Sequence, residues 1–267
     1  MYKLKNIKLT RLLTILLFLV LLFSGVYFTF EKTAAEEVYI NEVIDGDTVV
    51  SASGKRIRLL GIDSPEINWE QGGAEFFGWE ARDYLIEQLL NKNVNLEYDI
   101  DKKDDYGRSL AYIFLDGENF NLKLLEQGYA GLMLVSPNDK YRKIFIRAAD
   151  EARKNRRGIW NKLEYYSDKL PIITYREAEK YIGEEVIVKG KIVNTAKTEE
   201  VSFLNFSHNY QNTLSLVIFN DNLIKFSYQP VDYLKERQIK VMGRVKLYKG
   251  VPEIIVEEAE NIMLIED

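Results

Sequence analysis

The sequence contains no cysteine and a single histidine, His208. The lack of cysteine excludes disulfide bonds, a thiolate nucleophile and a cysteine-based zinc site. With one histidine, the chain lacks the side chains for a multi-histidine metal site, and a Ser-His-Asp triad is a poor explanation of it. Acid–base and metal chemistry must therefore rest on carboxylates.

The chain also lacks an excess of positive charge, since its 36 basic and 41 acidic residues give a formal net charge of −5. Proteins that bind nucleic acid through their overall charge are usually basic, so any such binding has to come from local patches. Residues 140–162 form one basic patch, with nine basic and two acidic side chains. This pattern is typical of a solvated helix face and also of a surface that attracts a polyanion, and both interpretations stay open.

An uncharged apolar run covers residues 12–30, behind a flank with four basic residues. Its length is close to the ~20 residues that span a bilayer, and it exceeds the usual core of a cleaved signal. Residues 1–35 are therefore predicted to be a retained membrane anchor, with a cleaved signal peptide as the alternative. In both cases the chain from residue 36 onward is predicted to be extracytoplasmic, either anchored to the cell membrane by one span or secreted.

The first block after this segment, residues 36–162, alternates short strands with helices. Hydrophobic spacing and turn signals predict strands at Val38–Ile44, Thr48–Ala52, Lys55–Ile62, Val94–Ile100 and Leu110–Leu115, and helices at Gly73–Leu90, Phe120–Gln127 and Lys140–Asn155. Short strands that form a small barrel with helices packed against it make an OB-type architecture. The predicted fold is therefore mainly β with helices, built on a five-stranded OB-type barrel.

A boundary is predicted near Leu163–Pro171, and residues 163–267 form a second β-rich block. Its five predicted strands follow a short helix at Tyr175–Tyr181 and indicate a second small OB-like barrel. Residues 184–265 resemble single-strand-binding OB modules in the strings VSFLNF (201–206), LVIF (216–219) and YKGVPEIIV (248–256). Such barrels stack bases on exposed aromatic side chains beside basic ones. The candidates are Phe206, Tyr210, Tyr228 and Tyr248, with Lys246 and Lys249. Because aromatic residues on strands are often core residues, nucleic-acid binding by this block stays open.

Three acidic clusters carry the candidate chemistry of the first block. They are Asp45-Gly46-Asp47, Asp63-Ser64-Pro65-Glu66, and Asp101 to Asp105, with Arg58 and Arg108 close to the last two. Hard cations such as Ca2+ prefer carboxylate oxygen, and a carboxylate can also activate water. A planar guanidinium binds phosphate oxygens in pairs. These are the residue types that phosphodiester hydrolysis needs, although each cluster alone is also typical of a polar turn, a helix N-cap or a hairpin.

The order and spacing of these clusters narrow the interpretation. The strings that matter are Val43–Val49 (VIDGDTV), Ile57–Glu66 (IRLLGIDSPE), Asp105–Ile113 (DYGRSLAYI) and the ending Gly158-Ile159-Trp160. Over about residues 37–162 they closely resemble the staphylococcal nuclease (thermonuclease) family. The resemblance implies a Ca2+-dependent phosphodiesterase that cleaves DNA and RNA and leaves 3'-phosphate ends.

The resemblance also implies a metal site in this chain. Asp47 and Asp63 would bind Ca2+ directly, and the backbone carbonyl of Ser64 would be a further ligand. Asp45 would lie behind these ligands and support them. Two carboxylates and a carbonyl are an ordinary oxygen set for a hard cation, which takes its remaining ligands from water.

The remaining site residues implied by the resemblance act on the substrate. Glu66 would be the general base, or would position the attacking water. Arg58 and Arg108 would clamp the scissile phosphate and stabilise the charge that develops on it. Tyr106 would line the nucleotide pocket.

One stretch departs from the family pattern. Residues 132–137 read LMLVSP, with no aromatic residue where the best-known member of the family carries tyrosines that help to hold the nucleotide. Weaker nucleotide affinity is therefore expected. The alternative function is a surface-anchored nucleic-acid-binding protein with weak catalysis, but such a protein has no need for two metal-binding carboxylates facing two arginines.

Overall fold

A closed barrel of five strands organises the first half of the structure, a computed structural model that describes residues 36–265. The strands of this half are β1 (Glu36–Val43), β2 (Thr48–Ser51), β3 (Arg56–Leu59), β4 (Gly61–Asp63), β5 (Ile67–Asn68), β6 (Gly73–Ala74), β7 (Asn93–Glu97), β8 (Ser109–Leu115), β9 (Glu118–Asn119) and β10 (Gly131–Met133). The pairing order is β3-β2-β1-β7-β8, and β3 also pairs with β8 in parallel, which closes the ring. The five-stranded barrel predicted from the sequence is confirmed.

Helices cover the barrel with apolar faces at helical spacing. They are α1 (Gly78–Leu89), α2 (Phe120–Gln127), α3 (Arg142–Lys154) and the short α4 (Lys162–Tyr166). On α1, Ala81, Leu85 and Leu89 are fully buried, one turn apart. On α3, which belongs to the basic patch of residues 140–162, Phe145 and Ala149 are buried in the same way. One face of this helix is therefore apolar and packs inward.

The first helix is shorter than predicted. Residues 73–74 form β6 with β5, and Phe77 has a left-handed backbone with φ 73° directly before α1. A right-handed helix cannot continue through such a residue, so the helix begins at Gly78 and not at Gly73. The apolar spacing of the segment is helical, but the conformation of Phe77 is set by its tertiary contacts.

The predicted strand Lys55–Ile62 is broken in two at Leu60. Gly61 has φ +79°, and a Cβ atom there would lie 2.6 Å from the ring of Phe145. Only glycine accommodates both the left-handed backbone and this close approach. The chain therefore turns away from the barrel at this point, and β4 pairs with β10 and not with a barrel strand.

The second half of the structure contains two sheets. Its strands are β11 (Ile172–Ile173), β12 (Glu185–Lys191), β13 (Asn194–Lys197), β14 (Val201–Asn205), β15 (Ser215–Phe219), β16 (Gln238–Arg244), β17 (Lys246–Tyr248), β18 (Val251–Ile255) and β19 (Ile262–Leu264), with one short helix, α5 (Pro230–Tyr233). One sheet has the order β11-β12-β16-β19 and the other β13-β14-β15-β18-β17. Within residues 172–265 the two sheets do not pair into a ring, so the second OB-like barrel and the domain boundary stay predictions.

The two halves share an apolar core. Ile159 and Trp160, at the end of the first half, are buried in the same cluster as Leu216 of the second half. The guanidinium of Arg153, on α3, contacts the rings of both Tyr228 and Tyr233, 4.8 Å and 5.1 Å from their centroids. The second half is therefore packed directly against the half that carries the candidate site.

The predicted membrane anchor or signal peptide, residues 1–35 with its apolar run at residues 12–30, lies outside the described residues. Within residues 36–265, no helix is long and apolar enough to cross a membrane.

A buried asparagine fixes the segment that leads into β4. The side chain of Asn121 is fully buried, and its Oδ1 accepts a hydrogen bond of 2.9 Å from the backbone N–H of Ile113. Its Nδ2 donates to the carbonyl of Leu60 at 2.8 Å and to that of Ala111 at 3.3 Å. One side chain thus satisfies backbone groups of β8 and of the turn before Gly61.

We expect Asn121→Ala to lower the free energy of unfolding by about 3 kcal/mol, because it leaves buried backbone groups without partners. Urea unfolding followed by circular dichroism measures this change. The matched control is Asn95→Ala on the exposed face of β7, which should shift stability by no more than about 0.5 kcal/mol. Equal effects at the two positions would contradict the role given to Asn121.

Candidate active site

The loop between β1 and β2 begins the site. The backbone N–H of Asp47 donates to Oδ1 of Asp45 at 3.0 Å, which closes a tight turn around Gly46. A Cβ atom at Gly46 would lie 2.6 Å from Ala81 and 2.7 Å from Ser64. The missing side chain therefore lets this loop pack against α1 and against the segment that follows β4.

The carboxylate of Asp47 is buried and fully engaged, with 5% of the residue exposed. Its Oδ2 accepts a 2.7 Å hydrogen bond from the backbone N–H of Ser64, and its Oδ1 accepts one of 3.0 Å from Thr48. Burial raises the pKa of Asp47, although the nearby guanidinium of Arg58 acts in the opposite direction. The hydrogen bond to Ser64 links the first acidic cluster to the second.

Arg58 joins the same two clusters from the barrel wall. Its Nε lies 3.2 Å from Oδ1 of Asp47, and its Nη2 donates to Oδ1 of Asp63 at 2.8 Å. Its Nη1 donates to the carbonyls of Leu59 and Ile62, at 3.0 Å and 2.8 Å. The guanidinium is therefore held in one orientation between two carboxylates.

Glu66 is an exposed residue near the carboxylates of Asp47 and Asp63. Partial desolvation raises its pKa, and the negative charges of Asp47 and Asp63 add to the effect. A carboxylate with a raised pKa is a stronger base than an ordinary surface carboxylate. Glu66 is thus close to the other two acids and accessible to solvent.

Arg108 and Tyr106 line a cleft that Arg58 also lines. This cleft has a volume of about 380 Å3, and Met133 and Val135 line it where the family pattern has aromatic residues. The Nε of Arg108 donates to Asp104 at 2.7 Å, and the side chain of Tyr106 is 87% exposed. Arg108 is paired with Asp104 and Arg58 with Asp47 and Asp63, so the two arginines of this cleft are held by separate acidic clusters.

A second groove of about 650 Å3 continues from Arg108 and Tyr106. Its lining is mostly basic and aromatic: Lys55, Arg56, Tyr98, Lys102, Lys103, Tyr106 and Arg108, with Glu36 as the acidic member. Arg56, Lys102 and Lys103 are exposed and form no ion pair with any residue in the described range 36–265. This is the type of surface that binds the backbone of a nucleic-acid strand.

The donors at the centre of the site fit a hard divalent cation. Among the described residues no three His, Cys, Asp or Glu side chains form a metal cluster, so an ion here would rely on two carboxylates, a carbonyl and water. Acidic groups outnumber basic ones at this point: Asp45, Asp47, Asp63, Glu66 and Glu75 surround Arg58 and Lys225. This uncompensated negative charge is what a bound cation would neutralise.

Lys225 is a site residue that sequence reasoning missed. Its ammonium lies 3.1 Å from Oδ2 of Asp63 and also donates to Glu258. Burial lowers the pKa of Lys225, but the hydrogen bond to Glu258 and the charge of Asp63 outweigh it and raise the pKa to about 12. Lys225 lies more than half of the chain length after Asp63, and no local sequence pattern indicates that it belongs to the site.

The structure corrects one of the candidates for base stacking in the second half. Phe206 is 3% exposed and stacks on Tyr175, so it is a core residue. Tyr228 is partly buried against the core beside Arg153, and its role in binding stays a prediction. Tyr210 and Tyr248 are exposed, with Tyr248 beside Lys249, and their role in binding stays a prediction.

Comparisons with known proteins agree with this geometry. A family model described as staphylococcal nuclease homologue matches residues 56–162. A thermonuclease from Staphylococcus intermedius is 39% identical over 130 residues, which cover 48% of this chain and 77% of the relative. For a thermonuclease from Staphylococcus hyicus the values are 40% over 134 residues, 49% and 79%. Endonuclease YncB of Bacillus subtilis is 34% identical over 137 residues, covering 49% of this chain and 65% of the relative.

The closed barrel and these relatives show that the chain is a nuclease, an enzyme that hydrolyses phosphodiester bonds. The chain belongs to the staphylococcal nuclease family. The structure brings five of the residues named from the sequence into direct contact, namely Asp45, Asp47, Arg58, Asp63 and Ser64. Their separate roles with metal and phosphate stay predictions.

We expect Arg58→Lys to lower kcat by roughly 10²- to 10³-fold, because a lysine cannot hold both carboxylates and contact phosphate together. Initial rates of DNA cleavage at saturating substrate measure the change. The matched control is Arg56→Lys, an exposed position on the same strand that keeps its charge and should keep its kcat. An equal loss of kcat in both variants would show that any change on β3 impairs catalysis, and would contradict the specific role given to Arg58.

Proposed function

We propose that this chain is a Ca2+-dependent endonuclease that hydrolyses DNA and RNA and leaves 3'-phosphate ends. The observation that carries the proposal is Arg58, which is held between Asp47 and Asp63 and lines the same cleft as Arg108. Two carboxylates facing two arginines suit a substrate that is itself an anion bound through a cation.

Asp47, Asp63 and the carbonyl of Ser64 would hold the Ca2+ ion. When bound, the ion supplies charge neutralisation and polarisation of the phosphate. Asp45 holds the backbone of Asp47 in place through its 3.0 Å hydrogen bond. Asp47 in turn keeps its orientation through Ser64 and Thr48, so hydrogen bonds within the protein hold its carboxylate.

Glu66 would accept a proton from the attacking water, or hold that water in position. Its place beside Asp47 and Asp63 puts the base next to the centre of negative charge, and its exposure leaves room for water and phosphate. The raised pKa favours proton transfer near neutral pH.

Arg58 and Arg108 would bind the phosphate oxygens and stabilise the charge that develops on them. Most donors of Arg58 are already used inside the protein, but its Nη2 also faces the Sδ of Met133 at 3.6 Å, a weak partner that a phosphate oxygen would replace. Arg108 is more exposed and would exchange part of its contact with Asp104 for the substrate.

The apolar run at residues 12–30 and its basic flank support a site of action outside the cytoplasm. We propose that the enzyme is exported and remains anchored to the cell membrane by this run.

The test incubates the purified full chain with linear DNA, single-stranded DNA and RNA, each with Ca2+, with Mg2+ or with EDTA. We expect cleavage that requires Ca2+ and falls at least about 10²-fold in Asp47→Asn and in Glu66→Gln. The matched controls are Asp83→Asn and Glu87→Gln on the exposed face of α1, which should cleave like the wild type.

Binding without cleavage under every condition would overturn this proposal. Cleavage that survives Glu66→Gln would show that another group activates the water. The ends of the products test the chemistry: 3'-phosphate products carry 5'-hydroxyl groups, which polynucleotide kinase labels without prior phosphatase treatment.

The basic groove beside Arg108 generates a separate expectation. We expect Lys102→Ser with Lys103→Ser to raise KM for single-stranded DNA and to reduce the slope of log affinity against log salt by about 1.4, since about 0.7 is lost per phosphate contact. Lys189→Ser with Lys191→Ser on β12 removes the same charge elsewhere and is the control. An equal reduction of the slope in both pairs would show that only the total charge matters.

A further inference from the structure

The second half of the chain reaches into the nuclease site through one side chain. Lys225 ends a 3-10 segment, Asn220–Lys225, that lies beside β10, where the backbone N–H of Leu134 donates to the carbonyl of Ile224 at 3.4 Å. β10 is the strand that pairs with β4, and Asp63 is the last residue of β4. The fold therefore places the ammonium of Lys225 beside Asp63.

Lys225 occupies one oxygen of Asp63 while Arg58 occupies the other. The distances are 3.1 Å from Nζ to Oδ2 and 2.8 Å from Nη2 to Oδ1. The side chain of Lys225 is 16% exposed, and Glu258 holds its ammonium from the other side. A buried ammonium with two carboxylate partners has little freedom to leave.

The space around this contact adjoins the centre of the site. A cavity of about 160 Å3 is lined by Asp63, Ser64, Glu66, Lys225 and Glu258, among others. Any cation bound by Asp63 and the carbonyl of Ser64 would lie within a few ångströms of the ammonium of Lys225. Two positive charges at such a distance repel each other strongly in a partly buried site.

We propose that Lys225 sets the affinity of the nuclease site for its divalent cation, by competing with that cation for the carboxylate of Asp63. This inference rests on the proposed function, because it takes Asp63 to be a ligand of the ion. It makes the second half of the chain part of the nuclease site, as the source of a charge that the barrel alone does not contain.

The test measures the dissociation constant for Ca2+ by titration calorimetry on the full chain without substrate, and the Ca2+ concentration that gives half-maximal DNA cleavage. We expect Lys225→Met to lower both values at least about tenfold, because the competing charge is removed. Lys225→Arg keeps the charge and should stay close to the wild type. Lys191→Met, which breaks an exposed ion pair with Glu236 in the same half, is the matched control and should not change either value.

A second variant guards against misfolding, since Lys225→Met leaves the partly buried Glu258 without its partner. Lys225→Met combined with Glu258→Gln removes the pair together and keeps the net charge of the chain. The double variant should also bind Ca2+ more tightly than the wild type, because Lys225 contacts Asp63 and Glu258 lies behind it. Thermal unfolding of each variant establishes that the folded protein is being titrated.

Ca2+ binding by the double variant that is unchanged or weaker would overturn this inference, and the nuclease proposal would stand. A wild-type chain that neither binds Ca2+ nor needs it for cleavage would overturn the proposed function, and this inference with it. A merely structural role for Lys225 predicts lower stability and slower cleavage without any rise in Ca2+ affinity.

Discussion

The buried ion pairs of Arg58 are the interaction on which the site depends. A guanidinium inside a protein has to be paired, because an unpaired charge there costs several kcal/mol. Arg58 is paired with Asp47 from the β1–β2 loop and with Asp63 from β4, and the hydrogen bond from Ser64 to Asp47 joins the same two segments. The requirement to satisfy one side chain therefore brings two acidic segments together. Since both carboxylates contact Arg58, their negative charges are concentrated in one place.

The barrel supplies what this interaction needs, because it holds Arg58 on a strand that is paired on both sides. β3 pairs with β2 and with β8, so the backbone at Arg58 cannot shift toward either loop. The kink at Gly61 then turns the chain back, so that Asp63, only five residues after Arg58, contacts its guanidinium. Asn121 fixes the carbonyl of Leu60 just before the kink. The precision of the site thus comes from backbone contacts outside it.

Much of this could be predicted from the sequence, where the pattern is local. The helix Phe120–Gln127 was predictable to the residue, because Asn119 caps it and Gly128 ends it with a left-handed backbone. The barrel and the acidic clusters follow from strand alternation and from short motifs. The start of α1 at Gly78 was not predictable, because the apolar spacing begins at Phe77, whose left-handed backbone ends the possibility of helix before it. Phe206 illustrates the same limit, since an aromatic residue at the end of a strand has the same sequence pattern in the core as on a binding surface.

Lys225 shows why the site as a whole could not be predicted from the family motif. The motif describes a barrel that contains every residue it needs, and the sequence shows the second half only as a separate β-rich block. In the structure the second half is not separate. It packs on the first half through an apolar core that includes Ile159 and Trp160, and through the contact of Arg153 with Tyr228. Once that contact is fixed, a lysine anywhere on the facing segment changes the electrostatic potential at Asp63. The ammonium of Lys225, in the second half, thus acts on the carboxylate of Asp63, in the barrel half. Residues of both halves therefore determine the electrostatics of the nuclease site.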